Sequence, residues 1–172
     1  MHLLHVLRHA KSGRDEGVED SERTLSKRGR EAARTIGKTL PDAIGAVDLV
    51  LCSSSVRTRE TADLVLAAYL KPPRIVFEEE LYLVGEGALL RRLRRLDEAC
   101  GSVLVIGHNP GLHQLAVALA APKSTNYAAL ADGKFPTTAR ASLRIDSSWA
   151  ALDRGRNALV AYVTPKSLGI DD

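Results

Sequence analysis

Short apolar runs alternate along this chain with longer stretches in which apolar residues recur every three or four positions. Residues 3–7 read as a strand, as do 48–52, 74–77 and the strongly apolar 102–106. Residues 26–40 read as a helix, with Ser26 as N-cap and Ala32, Ala33, Ile36 and Leu40 on one face. Residues 58–70 follow the same pattern through Ala62, Val65, Leu66 and Tyr69. Residues 87–99 form an amphipathic helix, and 111–121 a further helix. Residues 142–145 and 158–163 are strand-like with no helical pattern between them, which predicts a hairpin at a sheet edge.

The β-α-β-α order predicts an α/β three-layer sandwich, a mostly parallel sheet with helices on both faces. A length of 172 residues fits one domain, spanning 1–172. Two polar stretches, 13–23 and 122–138, read as long loops, which in a compact domain are often functional.

Composition excludes more than it suggests. The net charge of +3 is too small to argue for nucleic acid, and no basic stripe is interleaved with aromatics. Cys52 and Cys100 stand apart from any C-x-x-C spacing, so no disulfide framework or zinc site is expected. Both read as buried thiols in a reducing compartment. No apolar run approaches the ~18 residues of a membrane span. The first residues are too short and interrupted for a signal peptide, so the expected location is cytoplasmic, with no membrane partner.

In open α/β sheets ligands bind beyond the carboxyl ends of the strands, so the residues just past each strand carry the chemistry. The first strand leads into Arg8-His9, the second into Ser53-Ser54-Ser55-Val56-Arg57-Thr58, the third into Glu78-Glu79-Glu80, and the fourth into Gly107-His108-Asn109-Pro110-Gly111. Two arginines, two histidines and a carboxylate would converge on one crevice. That set suits a phosphoryl group. Guanidinium forks grip phosphate oxygens and stay charged. An imidazole can attack phosphorus and carry it covalently. The helix that opens after Pro110 offers free backbone N–H groups to an anion. Cationic side chains can take the role of a metal, so no metal or other cofactor is expected. Ser12, close behind His9, and Asn109, beside His108, are candidate substrate-binding residues.

These residues resemble the histidine phosphatase superfamily, the phosphoglycerate-mutase-like fold. Leu7-Arg8-His9-Ala10-Lys11-Ser12, the Ser53 to Thr61 run and Gly107-His108-Asn109-Pro110 carry the resemblance. The small size, Thr24-Leu25-Ser26-Lys27-Arg28-Gly29, Lys134-Phe135-Pro136-Thr137 and the ending Val163-Thr164-Pro165-Lys166-Ser167-Leu168 are similar to its SixA-type phosphohistidine phosphatase branch. The resemblance implies that His9 becomes phosphorylated and that Arg8, Arg57 and His108 bind the phosphoryl oxygens. It further implies Glu80 as the candidate for the acid with which most of the superfamily protonates the leaving group, whereas the SixA-type branch is expected to lack a well-placed acid, because the phosphoramidate bond of its substrate is easier to break than an ester. The implied partner is a phosphohistidine-bearing protein or, as the alternative, a small phosphoester.

Two rival readings exist. A cysteine phosphatase built on Cys52 would need five residues between Cys and Arg, and only four separate Cys52 from Arg57. A non-catalytic phosphoprotein-binding module could use the same pocket, but binding alone does not require His9. The charge of Arg8, Arg57 and, when protonated, His108 is expected to lower the His9 pKa.

Overall fold

The computed structural model describes residues 1–14 and 16–171. Among them one six-stranded sheet has the order β3-β2-β4-β1-β5-β6. Its strands are β1 (His2–Arg8), β2 (Leu49–Ser53), β3 (Arg74–Glu78), β4 (Ser102–Gly107), β5 (Arg140–Ile145) and β6 (Ala158–Val163). The first four run parallel. β5 pairs antiparallel with β1, and β6 with β5, giving the expected hairpin at one edge.

The period-two alternation of these strands divides the core into two layers. Leu4, Val6, Leu49, Leu51, Val103 and Val105 face one side. There they meet α3 (Glu86–Arg94) and α4 (Gly111–Leu119) through Leu89, Leu90, Leu93, Leu112 and Leu115. Leu7, Val50, Cys52, Leu104 and Ile106 face the other side. They pack on α1 (Lys27–Ile44) and α2 (Val56–Val65) through Ala33, Ile36, Leu40, Ala62 and Val65. Strands buried on both faces explain why β2 and β4 read as continuous apolar runs.

Ser26 caps α1, its hydroxyl accepting from the Gly29 N–H at 3.0 Å. Gly29 is required by proximity: a Cβ there would stand 2.1 Å from the Lys11 carbonyl oxygen, so the helix and the loop after β1 touch backbone to backbone. α1 continues through Pro41 to Ile44 rather than stopping at residue 40. α2 begins earlier than expected and ends at Val65. The 122–138 loop contains a short helix, α5 (Tyr127–Asp132). Cys52 is buried, and burial pushes its thiol up to about 12; Cys100 is only half-buried. No helix among the described residues is long and apolar enough to cross a membrane.

Candidate active site

The carboxyl ends of β1, β2 and β4 lie side by side, and the chemistry gathers there. His9 comes directly after the last residue of β1, and its backbone N–H bonds to the Gly107 carbonyl of β4 at 3.1 Å. The next N–H, of Ala10, donates to Thr61 Oγ1 at 3.0 Å. Thr61 in turn donates to the Arg57 carbonyl at 2.7 Å, so one α2 hydroxyl ties the end of β1 to the first turn of α2. Ser55 caps that turn.

The His9 ring has a defined tautomer. Its Nδ1 lies 2.7 Å from the Ala10 carbonyl oxygen, which can only accept. Nδ1 therefore carries the proton and Nε2 presents its lone pair. Arg57 Nε–H points at that Nε2 from 3.4 Å. Arg57 Nη2–H points at His108 Nδ1 from 3.3 Å, and His108 Nε2 lies 2.7 Å from the Ser53 hydroxyl. The two imidazoles stand 5.3 Å apart between centroids. Arg8 Nη1 and Asn109 Nδ2 both donate to the Phe135 carbonyl, at 3.2 and 2.7 Å. That carbonyl thus anchors one side chain from β1 and one from the β4 turn.

Arg8, His9, Ser12, Arg57, His108 and Asn109 line one cavity of about 250 Å3 with Lys11, Arg23, Leu83 and Thr137. A second hollow of about 560 Å3 adjoins it, sharing Arg8, Lys11, Asn109 and Thr137. Leu83 on the wall and Thr138 beside it both have positive φ, 49° and 63°. Such backbone is costly away from glycine and persists where surrounding contacts over-determine it. Thr138 N–H is held by the Arg8 and His9 carbonyls, at 3.1 and 3.2 Å.

Burial is the leading cause of the electrostatics here, ahead of the neighbouring cations expected from sequence. It pushes His9 down to about 3, the charges of His108, Arg57 and Arg8 adding to the effect against the Ala10 hydrogen bond. It pushes His108 down to about 4 as well, helped by Arg57 and Arg8 and opposed by Asp20. Both rings are therefore neutral at pH 7, and His108 is not a resting cation. His5, buried on β1 against the Ser142 hydroxyl at 2.7 Å, is likewise pushed to about 4 by burial and by Arg140. An unfolded histidine takes up its proton near 6.5. Between that pH and about 4 the unfolded state binds more protons, so stability rises with pH across this window. The melting temperature is accordingly expected to be level above pH 7 and to fall between pH 6.5 and about 4, each ring contributing on the order of a few kcal/mol. A level melting temperature down to about pH 4.5 in a scanning-calorimetry series would contradict neutral burial of these rings.

Residues 4–82 match the profile of the histidine phosphatase superfamily (branch 1). An uncharacterized protein of Mycobacterium tuberculosis is 36% identical over 163 residues, 93% of this chain and 100% of the relative. A structure assigned to phosphohistidine phosphatase SixA from Nakamurella multipartitia superposes with a TM-score of 0.81 at 29% identity, covering 95% of this chain and 96% of that one. The protein histidine phosphatase SixA complexed with tungstate gives a TM-score of 0.78 at 26% identity, covering 96% and 99%. This chain belongs to the histidine phosphatase superfamily, in its SixA-type branch.

Within this SixA-type fold Glu80 does not join the cavity. β3 is the edge strand, three strand spacings from β1, or roughly 14 Å. Glu80 sits in the short turn after it, its side chain 78% exposed and 3.7 Å from Arg95. Glu78 is committed to Arg92, which donates from both Nε and Nη2. The expectation of an acid at Glu80 thus gives way to an ion pair on the sheet's far rim.

The carboxylate that does reach the cavity's cations is Asp20, which the strand-end pattern does not reveal. It lies in a short 3-10 turn (Asp20–Glu22) within the 13–23 loop. Its backbone carbonyl accepts from Arg57 Nη1 at 2.7 Å, and its carboxylate accepts from Arg57 Nη2 at 3.1 Å and Arg23 Nη1 at 3.0 Å. The Tyr82 hydroxyl also donates to it. These donors hold its carboxyl well below the usual carboxylate range, the Tyr82 bond most of all. Ser12 faces the same network, accepting from Arg23 Nη2 at 2.6 Å. His113 on α4 donates from Nε2 to the Leu130 carbonyl at 2.7 Å and stacks on Phe135. Among the described residues no group of three or more His, Cys, Asp or Glu side chains could hold a metal ion.

Proposed function

We propose that this protein is a phosphatase that removes phosphate from phosphohistidine in a protein, through a phosphohistidine intermediate on His9. The observation that carries the proposal is the His9 Nε2 lone pair, fixed by the Nδ1–H bond to Ala10 and faced by the Arg57 fork. In the first step Nε2 attacks phosphorus and the bond from phosphorus to the substrate nitrogen breaks. Arg8, Arg57 and His108 stabilise the charge on the equatorial oxygens. In the resting site His108 Nδ1 accepts from Arg57 Nη2–H, which puts the ring proton on Nε2 toward the Ser53 hydroxyl. A phosphoryl oxygen entering between the two side chains replaces that contact, and because the Ser53 hydroxyl can accept or donate, the proton can then sit on Nδ1 and be presented to the oxygen. In the second step water attacks the phosphorus, the His9–phosphorus bond breaks, and inorganic phosphate leaves. The cationic side chains take the role that a metal has in other phosphoryl transfers.

The leaving group favours phosphohistidine over an ester. An alkoxide needs a proton as it departs, whereas an imidazole protonated on its other nitrogen departs as a neutral ring. Glu80 is turned to Arg95, and Asp20 is held ionised by its donors, so neither is placed to supply that proton. The adjoining hollow of about 560 Å3 leaves room beside the cavity for the group that carries the phosphate. The test is a panel comparing a phosphohistidine protein with small phosphoesters, with wild type and Glu80→Gln. Turnover of the phosphohistidine protein is expected to dominate, and Glu80→Gln to stay within about twofold of wild type. Preferential ester hydrolysis that Glu80→Gln cuts by about tenfold or more would point instead to the small-molecule phosphoesterase.

A further inference from the structure

We infer that Asp20 is a positioning residue for Arg57, locking the outer edge of its guanidinium so that the inner edge meets the phosphoryl group; the inference rests on the phosphatase reading above. Arg57 is 3% exposed and its terminal N–H groups divide into two sets. Nη1–H reaches the Asp20 carbonyl at 2.7 Å and Nη2–H its carboxylate at 3.1 Å. Nε–H and the remaining Nη2 hydrogen point at His9 Nε2 and His108 Nδ1, from 3.4 and 3.3 Å. A guanidinium is planar, so fixing one edge fixes the direction of the other. The inner edge is the fork that would grip two phosphoryl oxygens lying between the two rings.

Asp20 is itself immobilised. Arg23 holds its Oδ1 and also binds Ser12 Oγ and the Gly13 carbonyl. The Tyr82 hydroxyl holds Oδ2, while the Tyr82 ring packs edge-on to His108 with centroids 5.3 Å apart. Two loops and the first turn of α2 are thereby drawn onto one guanidinium.

A carboxylate here has a cost. Its negative charge opposes the binding of any anion in the cavity. Its presence beside Arg57 is accounted for if it supplies alignment, and this separates the two effects kinetically. Removing the charge should leave ground-state phosphate affinity unchanged or tighter, while the rate of the chemical step falls because the fork is no longer aimed.

The experiment uses the full chain as wild type, Asp20→Asn and Asp20→Ala, with a phosphohistidine protein as substrate and inorganic phosphate as inhibitor. The expected result is a kcat lower by about tenfold to a hundredfold in Asp20→Ala, with Asp20→Asn between it and wild type. The inhibition constant for phosphate should stay level or fall. A kcat within about twofold of wild type overturns the inference, as does a parallel loss of kcat, phosphate affinity and melting temperature, which marks a structural role. A second arm is independent of turnover: the Arg57 Nε–H resonance, sharp in wild type, should broaden or exchange faster in Asp20→Ala. If it does not change, positioning by Asp20 fails whatever the substrate; if wild type neither turns over phosphohistidine nor traps phosphate, the phosphatase reading fails and the resonance still decides the role of Asp20.

Discussion

Exposing the His9→Ala variant to a phosphorylated substrate is expected to leave no acid-labile phosphate on the protein, where wild type carries it transiently. Turnover should fall by at least about 10^4-fold, the scale on which enzymes lose activity when a covalent nucleophile is removed. The physical reason is local. Removing the ring removes Nε2, and the two arginines beside it are donors rather than nucleophiles: Arg57 aims Nε–H at that atom, and Arg8 and Arg57 remain charged, while the lone pair of His108 is turned to Arg57. Water could still attack a phosphoryl group bound there, but it lacks the fixed lone pair that the Ala10 carbonyl sets up through Nδ1. The backbone around His9 is anchored by Gly107, Thr61 and Thr138, so the variant should fold and still bind inorganic phosphate. Quenched reactions with labelled phosphohistidine protein read both quantities. Labelled protein from His9→Ala, or turnover within about tenfold of wild type, would remove His9 from the mechanism.

The second large effect concerns Arg57. Arg57→Ala is expected to cut kcat by about 10^2- to 10^3-fold, as the loss of a transition-state donor does elsewhere. The variant loses the fork and leaves the half-exposed Asp20 carboxylate with Arg23 as its cationic partner, so more of its negative charge faces an anionic substrate. Arg57→Lys is the informative companion. It keeps the charge but replaces a planar fork of five N–H groups by three on one nitrogen, too few for both Asp20 acceptors and two phosphoryl oxygens together. Arg57→Lys should therefore recover less than about a tenth of the wild-type rate. Near-complete recovery by lysine, measured as kcat at saturating substrate, would show that charge alone suffices.

Parallel strands bring their carboxyl ends together, which is why much of the site is legible in the sequence. His9, Arg57 and His108 all stand just past an apolar run, and all three line the same cavity. The same rule fails at Glu80, because periodicity shows that β3 is a strand but not that it lies at the rim of the sheet. Helix ends are less legible than helix faces. Pro41 lies within the last turn of α1, where the helix carries on past it to Gly45 at φ 71°. α5 is six residues long, too short for a helical period to register. Asp20 escapes for a different reason: it occupies a polar loop with no periodicity, and its partner Tyr82 is 62 positions away. The signal it does leave is chemical. A buried arginine has more N–H groups than one phosphoryl group can satisfy, so a second acceptor for Arg57 has to exist somewhere on the chain.

The antiparallel entry of β5 beside β1 carries a consequence for how such a catalyst diversifies. A parallel neighbour contributes its finish to the ligand edge, as β4 does with His108, whereas β5 contributes its beginning. The segment from Lys134 to Ala139 therefore arrives at the pocket as an approach road, and its Phe135 carbonyl is the shared mooring for Arg8 and Asn109. The candidate reactive groups His9, Arg57 and His108 follow parallel strands, and a side wall of the cavity belongs to the antiparallel half. Length and composition between α4 and β5 can then drift, reshaping which molecules reach His9, while the strands that aim the chemistry stay as they are.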